Sequence, residues 1–194
     1  MRAALLISIT VLLGGCRLSV GDIFGFQNAQ PPQQLVVADG YVGMDERTDR
    51  VTLKEFLGVD PVHVEWCAAF VNSVLHEVGI DSTGSLMARS YLSWGSSTDT
   101  PAAGDIMVFS RGTDGWQGHV GFYVATVDYN DQQYWIVLGG NQDNSVSYRL
   151  YKVGHWRHLD TRTVNTDPVQ LETLRAQQWM LDGIPLEMIQ DQSQ

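Results

Sequence analysis

The sequence predicts an α+β domain in which helices pack on an antiparallel sheet. Helical periodicity dominates up to about Trp94, whereas strand-like runs dominate from Pro101 onwards. Helices first and strands second, without regular alternation, favour this class over a parallel α/β sheet. With 194 residues, of which 44% are hydrophobic, the chain has material for one core and terminal extensions.

The most informative helix is predicted from Trp66 to Gly79, with Cys67 in its first turn. Apolar residues follow Cys67 at the spacing of one helical face, namely Phe70, Val71, Val74 and Val78. Cys67 should therefore point inward. A thiol at a helix N-terminus tends towards the nucleophilic thiolate, although free cysteines are also often buried structural residues.

Shorter helices are predicted on both sides of this one. They run from Gln33 to Val42, from an N-cap at Thr52 to Leu57 with Gly58 as the stop, and from Ser85 to about Trp94. The predicted strands are Asp105 to Ser110, Val120 to Val127, Tyr134 to Leu138, Ser145 to Leu150 and His155 to His158.

The N-terminus is interpreted as a lipoprotein signal. Arg2 precedes an apolar run from Ala3 to Leu13, which is too short to span a bilayer, and Leu13-Gly14-Gly15-Cys16 resembles a bacterial lipobox. Cys16 would then carry lipid and begin the mature chain. An ordinary signal peptide and an uncleaved anchor are the alternatives. The Gly-, Pro- and Gln-containing stretch after Cys16 is predicted to be a tether that ends near residue 34.

Cys16 and Cys67 are the two cysteines of the chain. If Cys16 is lipidated, Cys67 has no disulfide partner and stays a free thiol in an exported protein, which indicates reactivity. The chain also has 12 Lys+Arg against 22 Asp+Glu and no basic cluster, which excludes nucleic acid as an expected partner. His76-Glu77 lacks the second histidine of a zinc motif, so neither a metal nor a cofactor is expected.

A hairpin is expected to bring a histidine next to an amide. If the turn is centred near Asn130, facing residues have numbers that sum to about 260 or 261, which places His119 opposite Asn141 or Gln142. Such a pair suits a Cys/His/Asn arrangement, in which the amide orients the imidazole. A slip of one residue would turn Asn141 to the other face. Taken singly, His119 could be a strand-end histidine and Asn141 a turn residue.

Four motifs occur in order along the chain. They are Trp66-Cys67-Ala68-Ala69-Phe70-Val71-Asn72, Gly104-Asp105-Ile106, Gly118-His119-Val120-Gly121-Phe122-Tyr123 and Gly139-Gly140-Asn141-Gln142. Together they resemble the CHAP branch (cysteine, histidine-dependent amidohydrolase/peptidase) of the NlpC-type, papain-like peptidoglycan hydrolases of bacteria and phages. The resemblance extends from about Leu35 to His158 and implies a papain-like fold with the catalytic cysteine at a helix N-terminus.

The resemblance also implies roles for the residues. Cys67 would attack a carbonyl, His119 would serve as base and then as acid, and Asn141 would orient His119, with Gln142 and Asp143 as its rivals. The Cys67 N–H would help to stabilise the oxyanion, and the second donor is left open between His63 and Glu65. Four residues are candidates for the substrate cleft, namely Trp66, Trp116, Gly118 and Gln142, and both Gly118 and Gly121 are expected to leave room for substrate.

The resulting hypothesis is a peptidoglycan hydrolase that cuts a cell-wall peptide amide through a Cys acyl-enzyme, as an endopeptidase or as an N-acetylmuramoyl-L-alanine amidase. The alternatives are a non-catalytic wall-binding lipoprotein and an acyltransferase. The expected organisation is a signal peptide (1–15), a tether (16–34), a catalytic domain (35–160) and a partly helical extension (161–194) that docks on the domain or on a protein partner. Lipid on Cys16 would hold the protein at the periplasmic face of the inner or outer membrane.

Overall fold

A computed structural model describes residues 31–129, 131–163 and 189–191. The signal peptide, Cys16, most of the tether and most of the partly helical C-terminal extension lie outside these ranges. No helix within them is both long enough and apolar enough to cross a membrane.

Three α-helices precede the sheet, as the sequence pattern predicts. They are α1 (Gln33–Asp39), α2 (Arg50–Leu57) and α3 (Cys67–Glu77). The first ends earlier than expected because the chain turns at Gly40, which serves as its C-cap. The prediction that Thr52 caps α2 is wrong, since Asp49 occupies the N-cap position, whereas Gly58 ends the helix in the left-handed conformation as expected.

The helix expected from Ser85 to Trp94 is a short 3-10 helix, Ala88–Ser93. Ser85 is not its N-cap, which is Met87. The Ser85 hydroxyl instead accepts the N–H of Met87 at 3.1 Å, and its carbonyl accepts the amide of Asn72 in α3 at 2.9 Å. These two bonds hold the segment before the 3-10 helix in an extended form against α3.

The sheet has seven strands in the order β1-β6-β2-β3-β4-β5-β7 among the described residues. Their bounds are β1 Ser96–Ser97, β2 Ile106–Ser110, β3 Gly118–Tyr129, β4 Gln132–Gln142, β5 Ser145–Lys152, β6 His158–Thr163 and β7 Ile189–Asp191. Every neighbouring pair is antiparallel except β5 and β7. Helices on a mainly antiparallel sheet make the domain α+β.

The strand predicted from His155 to His158 is displaced. The N–H of His155 donates to the carbonyl of Lys152 and closes a turn, in which Gly154 has a φ of +73°. The edge strand β6 begins only at His158 and continues to Thr163, past the expected domain end at residue 160. The sequence pattern could not show that the residues before β6 form a turn, because Trp156 among them is a residue typical of strands.

Successive side chains of the strands point to opposite faces of the sheet, and both faces are buried. On β2, Ile106 and Val108 join the main core with α3, whereas Met107 and Phe109 form a second buried cluster with Tyr123 and Val137 on the opposite face. The main core contains Trp66 and Cys67. The sheet therefore separates the helix that carries the cysteine from a smaller aromatic layer.

Gly140 allows α3 to pack closely on β4. A Cβ atom at this position would lie 2.5 Å from the Trp66 ring and 2.7 Å from the Cβ of Phe70. No larger residue fits without moving α3, so a glycine here fixes the distance between the helix and the strand. The start of α3 is thereby held beside the end of β4.

Candidate active site

Cys67 is the first residue of α3 and lies at the edge of a cleft. Trp66 occupies the N-cap position without a side-chain cap bond, so N–H groups of the first turn lack partners within the helix. Only 3% of the Cys67 surface is exposed, and this part contributes to the cleft wall. The inward direction predicted from helical spacing is confirmed, and the thiol is free.

The environment of the sulfur disfavours the thiolate. Burial raises the pKa of the Cys67 thiol, and the nearby Glu65 carboxylate adds to this; the positive charge of Arg111 and the backbone N–H groups of Val120 and Ala68 act in the opposite direction. The first-turn N–H of Ala68 acts in the direction predicted for a helix N-terminus, but desolvation of the thiolate is the largest effect and the thiol pKa is raised overall.

His119 lies on the opposite face of the sheet from α3. It pairs with Phe109, whose side chain belongs to the second cluster, and its ring is stacked with that of Tyr151 at a centroid distance of 6.3 Å. The pairing of β3 with β4 ends at Phe122 and Leu138. Val120, whose backbone N–H acts on the Cys67 sulfur, therefore lies in the part of β3 that is not paired with β4.

Gln142, and not Asn141, contacts His119. The Oε1 atom of Gln142 lies 3.1 Å from Nε2 of His119 and also accepts the hydroxyl of Tyr151 at 3.0 Å. Its Nε2 atom donates to the carbonyl of Ser147 at 2.5 Å, which fixes the orientation of the amide. Because Oε1 can only accept, His119 carries its proton on Nε2. The lone pair is then on Nδ1, which is buried and has no hydrogen-bond partner among the residues that the structure describes.

The His119 imidazole is neutral at neutral pH. Burial lowers its pKa to about 3; the charges of Arg111 and Arg149 contribute to this, whereas the hydrogen bond with Gln142 acts in the opposite direction. The resting pair is accordingly a neutral thiol and a neutral imidazole, and His119 is in the form that accepts a proton on Nδ1.

Asn141 belongs to a polar clasp at the mouth of the site. Its backbone is left-handed, with a φ of +56°, and its side chain donates to the Glu65 carboxylate at 2.7 Å. Arg111 completes the clasp by donating to the Asn141 carbonyl at 3.2 Å and by pairing with Glu65 at 3.5 Å. The amide of Asn141 therefore holds Glu65, and the predicted contact between Asn141 and His119 is not present.

The cleft has a volume of about 690 Å³. Of the four predicted cleft residues, Trp116 and Gly118 line it, and 64% of the Trp116 side chain surface is exposed. Trp66 and Gln142 do not line it: Trp66 is fully buried in the main core with its indole N–H donated to Glu46, and Gln142 is fully buried beneath His119. Asp143, the other proposed rival of Asn141, lies on the cleft wall.

Gly121 does not make room for substrate as expected. A Cβ atom there would lie 2.8 Å from Val137 and 2.9 Å from the carbonyl of Leu138, so the space belongs to β4. Of the two open candidates for the second oxyanion donor, Glu65 lines the cleft, whereas His63 lies in an exposed group with Arg50.

The sequence interpretation missed three residues that shape the site. Tyr151 binds the amide of Gln142, and the guanidinium groups of Arg111 and Arg149 lie close enough to His119 to lower its pKa. A signal was available for Arg149 alone, since it is a charged residue between Tyr148 and Leu150 in a predicted strand. Across the described part of the chain, no three His, Cys, Asp or Glu side chains converge as metal ligands.

Comparison with known families agrees with the four motifs. Residues 59–141 match the model of the CHAP domain. This stretch is similar to CHAP domains. Such domains are usually cysteine- and histidine-dependent peptidoglycan hydrolases with a papain-like fold, so the resemblance drawn from the sequence is confirmed. The match contains Cys67 and His119 and stops one residue before Gln142. No curated protein matches the chain.

The raised thiol pKa can be checked by alkylation. We expect the rate of reaction of Cys67 with iodoacetamide, measured on a Cys16→Ser background, to keep rising above about pH 8.5, the ordinary thiol pKa, because the thiolate is disfavoured. Mass spectrometry of the modified peptide gives the rate at each pH. A rate that is already maximal between about pH 5 and pH 7 would contradict the neutral resting pair.

The assignment of Gln142 as the partner of His119 can be checked by NMR titration. In Gln142→Glu a carboxylate would lie beside Nε2 and should raise the pKa of His119 well above the wild-type value of about 3. Asn141→Asp is the matched control, because it makes the same chemical change one residue away, on a side chain that contacts Glu65. A larger shift in Asn141→Asp than in Gln142→Glu would refute the assignment.

Proposed function

We propose that this protein hydrolyses an amide bond in the peptide part of peptidoglycan through an acyl-enzyme on Cys67. The observation that carries the proposal is the free thiol at the start of α3, open to a cleft, in a domain that also holds a buried neutral imidazole whose proton position is fixed by Gln142. Similarity to CHAP domains supports peptidoglycan as the substrate class.

In the first half of the reaction, the Cys67 sulfur attacks the carbonyl carbon and the thiol proton passes to Nδ1 of His119. The negative oxygen of the tetrahedral intermediate accepts a hydrogen bond from the backbone N–H of Cys67. The C–N bond then breaks, and the leaving amine takes the proton from His119. The product of these steps is a thioester on Cys67 and a free amine.

In the second half, His119 takes a proton from water, and the oxygen of that water attacks the thioester. Collapse of the intermediate releases the acid, and the proton returns to sulfur. The amide of Gln142 accepts the Nε2–H throughout and stabilises the imidazolium that forms in each half. Arg111 and Arg149 disfavour that cation, so proton transfer depends on the negative charge that develops on the sulfur once Nδ1 has come within its reach.

One observation favours a second candidate, a non-catalytic wall-binding protein with the same fold. Cys67 and His119 are almost fully buried, their side chains belong to opposite faces of the sheet, and Nδ1 has no hydrogen-bond partner in the described part of the chain. Catalysis requires Nδ1 to come within reach of the sulfur when substrate binds. A binding protein would have no such requirement.

Digestion of purified cell wall distinguishes these candidates. We expect wild type to release soluble fragments and Cys67→Ala to lower the rate about a thousandfold or more, since the nucleophile is lost. Ser73→Ala, on the outer side of the same helix, is the matched control and should keep the wild-type rate. If wild type and Cys67→Ala both leave the wall intact, the protein is a binding module.

Product masses then define the bond that is cut. Sugar chains without peptide would identify an N-acetylmuramoyl-L-alanine amidase, whereas new peptide termini on intact sugar-peptide units would identify an endopeptidase. An added amine that appears in the product in place of water would indicate acyl transfer by the same site.

We further propose that lipid on Cys16 anchors the protein at the periplasmic face of a bacterial membrane, with the following residues as a tether. The lipobox-like Leu13-Gly14-Gly15-Cys16 supports this proposal. Cys16→Ser should move the protein from the membrane fraction to the soluble fraction of cells, as judged by immunoblot, whereas Ser19→Ala in the same segment should not. If Cys16→Ser stays in the membrane fraction, lipid on Cys16 does not hold it.

A further inference from the structure

The cleft is positive although the protein is acidic. The chain has a formal net charge of −10, yet three arginines line the cleft with only two carboxylates. The arginines are Arg111, Arg149 and Arg157, and the carboxylates are Glu65 and Asp143. A cleft with this charge attracts anions even when the surrounding surface repels them.

Arg149 forms the most deeply placed part of this positive lining. It lies on β5, opposite Val137 of β4, and only 2% of its side chain is exposed. Its guanidinium pairs with Asp143, whose side chain is 69% exposed. A buried guanidinium that reaches a cleft wall presents planar donors suited to a carboxylate, and this geometry is fixed by the strand.

Arg111, which also lines the cleft, forms a similar ion pair. It pairs with Glu65, whose side chain is 80% exposed, and it donates to the carbonyl of Asn141. Two of the three arginines therefore already hold carboxylates that are open to solvent. A ligand carboxylate can replace Glu65 at Arg111 at little cost to the fold, because that ion pair is exposed. At Arg149, whose guanidinium is buried, a ligand carboxylate would have to take over from Asp143 as the pairing anion.

Arg157 completes the set from the segment before β6. Its backbone carbonyl accepts the N–H of Ser110 at 2.7 Å, which brings it next to the segment that carries Arg111. Its guanidinium lies 4.9 Å from the centroid of the exposed Trp156 ring. An arginine on an aromatic ring is held in place without use of its hydrogen-bond donors.

We propose that Arg111, Arg149 and Arg157 form a subsite that binds a carboxylate of the substrate peptide, on the part of the peptide that adjoins the amide cut at Cys67. This inference rests on the proposed function for the identity of the peptide. It adds that the protein selects wall peptides with a free carboxylate over those in which that carboxylate is a carboxamide.

Positioning of His119 is the competing explanation for these arginines. The charges of Arg111 and Arg149 do lower the pKa of His119, but Arg157 makes no such contribution. If the arginines served only to position His119, the presence of Arg157 in the cleft would have no explanation. The protein would then bind a peptide with a free carboxylate no more tightly than one with a carboxamide. The two explanations can be separated by a change in the ligand, which leaves the protein and its histidine untouched.

The experiment compares two soluble ligands by calorimetry on the full chain carrying Cys67→Ser, so that binding is measured without cleavage. One ligand is a synthetic wall stem peptide with free carboxylates, and the other is the same peptide with those groups converted to carboxamides. We expect the carboxamide form to bind about tenfold more weakly or worse, because charge-assisted hydrogen bonds are lost.

Arg149→Gln, Arg111→Gln and Arg157→Gln should each reduce this ratio, and Arg47→Gln, an exposed residue outside the cleft, is the matched control. Arg157→Gln changes an exposed side chain and covers the case in which Arg149→Gln fails to fold, as judged by circular dichroism. Equal affinity for the two peptides overturns the subsite, and so does a preference that none of the folded cleft variants reduces.

The subsite and the proposed function fail in different ways. If wild type digests cell wall but the Cys67→Ser protein binds both peptides equally, the hydrolase stands and the subsite is wrong. If wild type digests nothing but the carboxylate peptide is still preferred, the subsite stands in a binding protein.

Discussion

The amide of Gln142 is the interaction on which the site depends. Its nitrogen is committed to the carbonyl of Ser147, which leaves its oxygen to face His119 and Tyr151 together. This arrangement fixes the imidazole tautomer and leaves Nδ1 as the free base. An amide is well suited to the task, since it accepts on one side and donates on the other, whereas a carboxylate would add charge and raise the pKa of His119.

Two backbone features bring this amide to the histidine. The bulge in β3 between Tyr123 and Ala125 changes the numbers of facing residues, from pairs that sum to 261 near the turn, such as Ala125 and Ile136, to pairs that sum to 260, such as Phe122 and Leu138. A second irregularity, between Gly139 and Gln142, then turns the end of β4 away from regular pairing. The side chain of Gln142 therefore lies beneath His119, whereas Asn141 lines the cleft.

Much of the fold could be predicted from the sequence, because helical spacing around Cys67 and the helix stop at Gly58 are local signals. The symmetric hairpin rule correctly limited the partner of His119 to Asn141 or Gln142. It could not choose between them, because the left-handed backbone of Asn141 and the close approach at Gly140 depend on distant residues of α3. The same reason explains Trp66, which is next to the nucleophile in sequence but packs in the core.

The electrostatics of the site follow from a conflict between burial and charge. Burial alone would keep both Cys67 and His119 neutral. Arg111 favours the thiolate form of Cys67, but Arg111 and Arg149 both disfavour the imidazolium form of His119. An anionic group bound to Arg149 would offset its field at His119 and make the imidazole a stronger base, whereas one bound to Arg111 would also raise the pKa of the Cys67 thiol. Binding of a carboxylate and proton transfer from Cys67 would then be coupled, so that a peptide with the correct charge helps to create the base that its own cleavage requires.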